Sequence, residues 1–214
     1  TQDVELSGNY TMTGNYTVSH GTTLTIKPGS VIDMQDYWMS VEGNLVANNV
    51  TIMSSIQTTS PGSHNAGVWD DITITQLGTA SLDNVTISNA KSCLIVNGML
   101  NAKSLTLEDC LIGMEVSGSS DVDGLEVYDV DNDGVRNTGT SHLSNLNLQG
   151  MTAGISSSGV LHVTNSNFAQ TGTGISLVGG TADIDTLTFA SGVGNAVSIL
   201  SGVSGSVEGM IGSA

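Results

Sequence analysis

Three aspartates alternate ahead of a glycine in Asp129-Val130-Asp131-Asn132-Asp133-Gly134. Calcium takes six to eight oxygen ligands, and alternate carboxylates closing on a glycine turn supply several at once. Asp129, Asp131 and Asp133 are therefore the candidate calcium ligands. The twelfth position of such a loop falls on Thr140, which has no carboxylate to close the shell. A solvated acidic turn is the competing reading. A second constellation gathers three of the chain's few aromatics: Tyr37, Trp38 and Trp69, all flanking residues 56–66, with His64, Asp70 and Asp71 nearby. Flat apolar rings beside hydrogen-bonding groups suit the stacking of a sugar ring. Against this, Trp69 can equally plug the base of a loop. Of the four histidines, His20, His64, His142 and His162, none shows metal-ligand spacing in the chain.

These groups must be positioned by a chain with an unusual balance. It has 214 residues, 38% of them hydrophobic, with 27 glycines, 2 prolines, 2 tryptophans, 4 tyrosines and 2 phenylalanines. Abundant β-branched residues and Asn disfavour helices and favour short strands with tight turns. Lys and Arg total 4 against 20 acidic residues, a net charge of −16. Such a surface repels nucleic acid and anionic membranes, and leaves glycans, cations or other surface proteins as partners. No run of 18 apolar residues is present, so no membrane insertion is expected. The sequons Asn9-Tyr10-Thr11, Asn15-Tyr16-Thr17, Asn49-Val50-Thr51 and Asn84-Val85-Thr86 agree with secretion. Together these features point to an extracellular or cell-surface protein, of which this chain reads as one domain over residues 1–214.

A repeat organises the chain. Eight-residue blocks begin at 46, 81, 101, 121, 142, 162 and 183: VANNVTIM, SLDNVTIS, NAKSLTLE, DVDGLEVY, HLSNLNLQ, HVTNSNFA and DIDTLTFA. Their second, fifth and seventh places are mostly apolar. A second column, Gly113-Met114, Gly134-Val135, Gly154-Ile155, Gly174-Ile175 and Ala196-Val197, keeps the same step of 20–22 residues. Places five and seven fall on one face of a strand and place six on the other. Such units bury their apolar faces only by stacking. The period predicts a right-handed parallel β-helix of about nine or ten rungs at ~4.8 Å each. Residues 1–20 would form an N-terminal capping rung. Residues 56–66 would be an inserted loop, because Val50 and Val85 are 35 residues apart.

Stacking places Lys103 between Asp83 and Asp123, and His142 beside His162, where surface metal capture is thinkable. It also brings Cys93 and Cys110, 17 residues apart, within reach of a bridge between rungs, although each would also serve as a buried filler. The sixth places form a small polar ladder, Thr51, Thr86, Thr106, Glu126, Asn147, Asn167 and Thr188, of a kind that suits ice binding as a remote alternative.

The segments VSHGTTLTIKPGSVI (18–32), VEGNLVA (41–47) and GVWDDI (67–72) resemble the opening of right-handed β-helix domains in bacterial and archaeal surface proteins, within the pectate-lyase-like superfamily fold. The resemblance covers residues 18–74 and implies the fold more than an activity, since the family includes adhesins, stalks and polysaccharide-processing enzymes. Its lyases pair acid-bound calcium with a base, and Arg136 beside Asp131 and Asp133 imitates that arrangement. A salt bridge on a rung edge is the simpler account. Pectate-lyase and polygalacturonase signatures are missing: Val68-Trp69-Asp70-Asp71 departs from "vWiDH". The expectation is a non-catalytic structural, adhesive or carbohydrate-binding module requiring no cofactor, with calcium as the one candidate. The alternative is a calcium-assisted polysaccharide lyase or glycosidase.

Overall fold

Val50 and Ile52 point one way along their strand and Thr51 the other, and this alternation recurs in every block. The computed structural model describes residues 2–56, 66–200 and 202–212. Within them there is no helix, and 21 strands pair throughout in parallel, giving a solenoid of about nine turns. Each turn contributes a segment to three faces. The first face runs from Val4–Leu6 to Ser204–Val207 through nine successive pairings. The second runs from Asn9–Thr11 to Met210–Gly212, and the third from Tyr16–Val18 to Asn195–Ile199. Residues 2–20 contribute the first turn, with one strand on each face.

Equivalent side chains stack from turn to turn. Ile32, Ile52, Ile87, Leu107, Val127, Leu148, Phe168 and Phe189 form one inward column, none more than 5% exposed. Val50 pairs directly with Val85 and Met39 with Ile72, so the ladder is unbroken between the strands that end at Met53 and begin at Trp69.

Corners follow rules that the blocks only hint at. Between the first and second faces the chain turns through a left-handed residue, φ 49–77°, at Asn49, Asn84, Ser104, Gly124, Asn145, Asn165 and Thr186. This is the fourth place of every block. Asn tolerates this conformation because its short amide bonds locally. Here Asn84 Nδ2 donates to Asn49 Oδ1 at 2.9 Å, and Asn165 donates to Asn145. The corner into the third face repeats the device at Asn89, Asp109, Asp129, Gly150, Gln170 and Gly192. The last corner instead stacks backbone on backbone: a Cβ on Gly118 would land on the carbonyl of Gly98.

The second sequence column has a steric origin as well. On the third face two consecutive residues turn inward, and at Gly113, Gly134, Gly154 and Gly174 the first has no room for a side chain. A Cβ on Gly154 would meet the Phe168 ring and the Gly174 carbonyl. Cys93 takes that place one turn before Gly113, at a register shift between Ser92 and Leu94. It is bridged to Cys110, Cα–Cα 5.9 Å, and both are wholly buried. The buried polar groups of the middle turns satisfy one another: Ser120 donates to Ser141 (2.9 Å), Ser141 to Asn137 (3.0 Å), and Asn137 to Ser157 (3.0 Å).

Candidate functional site

The third face carries a connected strip of charge. Its outward column runs Thr73, Ile95, Glu115, Arg136 and Ser156 on successive turns. Arg136 bonds Asp133 through Nε at 2.9 Å and Glu115 through Nη1 at 3.3 Å. Ser92 donates to the other Glu115 oxygen at 2.6 Å, and Ser156 reaches Asp133 at 3.4 Å. Ser92 in turn stands beside Asp71, whose Oδ1 accepts the Thr73 hydroxyl at 2.5 Å. Asp70 is paired with Lys91. Burial pushes the Asp71 carboxyl above the usual carboxylate range. The charges of Asp70 and Glu115 add to this, while the Thr73 bond and Lys91 oppose it. One ladder thus joins the Asp70–Asp71 pair to the Asp133–Arg136 pair. Glu115 is the link, bonded by Arg136 and Ser92 and acting by its charge on Asp71, and the repeat held the signal for it: Glu115 follows Gly113-Met114 as Arg136 follows Gly134-Val135.

The three candidate calcium ligands have separate tasks. Asp129 is a left-handed corner residue (φ 52°), close enough to Glu108 that its charge, with that of Asp109, adds to the burial that raises the Glu108 carboxyl. Asp131 sits in the following bend, where its carbonyl accepts the Thr152 hydroxyl at 3.0 Å. Asp133 stands on the strand and is held by Arg136. Asp129 and Asp131 border an open hollow with Gly150 and Thr152, without Asp133. Among the described residues no group of three or more His, Cys, Asp or Glu side chains is placed to hold a metal ion. This donor set does not fit calcium, and the salt-bridge account of Arg136 is the one the geometry supports.

The aromatic constellation divides too. Trp69 is 1% exposed, and its indole N–H donates to the Ser88 carbonyl at 2.8 Å. Buried in the core in this way, it offers no face to a sugar, contrary to its candidacy as a ligand residue. Tyr37 packs partly buried against the core, and Trp38 is half-buried, its backbone N–H bonded to Asn15 at 3.3 Å. Asp70 and Asp71 belong to the charged strip described above. His64 lies outside the described residues.

On the first face the stacking expectations hold in register: Lys103 lies between Asp83 and Asp123, and His142 beside His162. The sixth-place ladder is likewise one column on the second face, with Glu126 between Thr106 and Asn147. Two sequons acquire a structural reason. In Asn49-Val50-Thr51 and Asn84-Val85-Thr86, Asn is the left-handed corner, Val the core residue and Thr the outward residue. An open hollow of about 540 Å³ lies at the third corner between His20, Glu42, Gln76, Leu77 and Asn97.

No family model matches the chain, and no curated protein matches it. The resemblance of residues 18–74 to surface β-helix domains therefore rests on their motifs alone.

Proposed function

We propose that the chain is a non-catalytic β-helix module of an extracellular or cell-surface protein, a rigid spacer whose flat sides serve adhesion or recognition of glycans and surface proteins. The observation that carries this reading is the unbroken first face: nine parallel pairings at ~4.8 Å make a stiff rod of roughly 43 Å. The buried Cys93–Cys110 bridge suits an oxidising compartment. Its charged side chains support the same reading, since on the third face they are spent on one another across turns.

One observation favours a second reading. Asp71 is a half-buried carboxyl held toward its protonated form, with Glu115 nearby, and in a polysaccharide-active enzyme it would be the proton donor. A glycan and surface-protein array, run with calcium and with EDTA beside assays for polysaccharide chain cleavage, separates the two. Saturable binding without product supports the module. Cleavage that disappears in Asp71→Asn and Glu115→Gln would overturn it.

A further inference from the structure

We propose that His142 and His162 form a binding site on the first face for one late first-row divalent cation, copper(II) or zinc. Adjacent parallel strands set both imidazoles outward at paired positions, with ring centroids 4.6 Å apart and planes within 1°. Cys, His and carboxylates do not gather here as a closed cage; the site is two neutral nitrogens with water completing the shell. Asp183, next in the same column, sets the donor atom. Its Oδ2 lies 3.4 Å from His162 Nδ1, where a carboxylate favours the tautomer that keeps its proton on Nδ1 and leaves the Nε2 lone pair for the ion. Asp121 precedes His142 in the column, so both ends of the pair face a carboxylate. Two nitrogens at ~2.0–2.1 Å from one tetrahedral ion stand about 3.3 Å apart. The stacked planes aim their lone pairs in parallel, so binding requires the rings to turn out of the stack until both nitrogens converge on the ion; His142 is exposed and has the room to turn. Imidazole donors select copper, zinc and nickel over calcium and magnesium, and the Irving–Williams order puts copper(II) first. The acidic surface raises the local cation concentration.

The test uses the untagged chain near neutral pH, titrated calorimetrically with zinc chloride and followed with copper(II) by electron paramagnetic resonance. One ion binds per chain. His142→Ala and His162→Ala each weaken binding by at least about tenfold, the double variant abolishes it, and His20→Ala leaves it unchanged. The copper spectrum shows nitrogen coupling from two imidazoles, and from one in either single variant. Because metal and proton compete for the same nitrogen, acidification releases the ion. Both positions point outward, so melting midpoints confirm that the variants fold. Absence of binding, or an affinity that survives either single substitution unchanged, overturns the proposal.

Discussion

Asp71 keeps a carboxyl half out of water beside two other acids, and the folded state bears the cost of ionising it. Its folded-state pKa lies above the unfolded value. The stability linked to it is therefore complete below the unfolded pKa and lost as pH rises through the folded one. Asp71→Asn should raise the urea midpoint at neutral pH, and the advantage should vanish toward about pH 3. An equal gain at both pH values would show that charge is not the cause. The two tryptophans give a second test. With Trp69 at 1% exposure and Trp38 half-buried, Trp38→Phe should leave blue-shifted emission resistant to acrylamide, and Trp69→Phe a redder, quenchable one. The residue scale is also where the sequence misleads. A D-x-D-x-D-G string looks like one ligand set, yet its members are a corner, a bend and a strand position, because in a solenoid neighbours in sequence separate along the path while residues about 20 apart meet. The same displacement hides Glu115 from a reading confined to local strings.

Among the elements, the corners and the glycine column carry most of the specification. Gly154→Ala would push a methyl group into the Phe168 ring and should cost about 1–3 kcal/mol or more. Gly14→Ala, facing open space, should be close to neutral, and thermal melts of the pair check the contrast. Replacing Cys93 and Cys110 by Ala should remove about 3 kcal/mol, on the scale of a closed loop of this length; urea denaturation with and without reductant measures it. Strand positions were legible because places five and seven alternate with an outward residue. The fourth-place corner was visible only as a bias to Asn, Ser, Thr and Gly, since left-handed backbone leaves a compositional trace and no periodic one. The broken step between Val50 and Val85 was legible as well, and the two residues pair directly across it.

For the whole molecule, each turn contacts only its neighbours, so protection should fall toward the ends. The last turn is the looser one: Ile199, Met210 and Ile211 are each more than half exposed, whereas Leu105, Leu125 and Leu148 are fully buried. Amide exchange in Asn195–Ile199 and Ser204–Val207 should be faster than in Met99–Glu108 and Ser119–Tyr128. Uniform exchange along the rod would mean that it opens as a single unit. The polar faces are where the repeat says least about function, because an outward Thr, Asn or Asp satisfies the strand whether or not it meets a ligand.

The Cys93–Cys110 bridge has a further consequence for a rod held at its two ends. The first turn lies at one extremity and the last at the other, so tension applied through the termini would peel the coil strand by strand. The bridge would keep the chain between the two cysteines out of the load path, hiding roughly 50–60 Å of contour at ~3.3–3.6 Å per residue. A reducing environment would release that slack, so the oxidation state of one buried bond would set how far the pulled chain can extend.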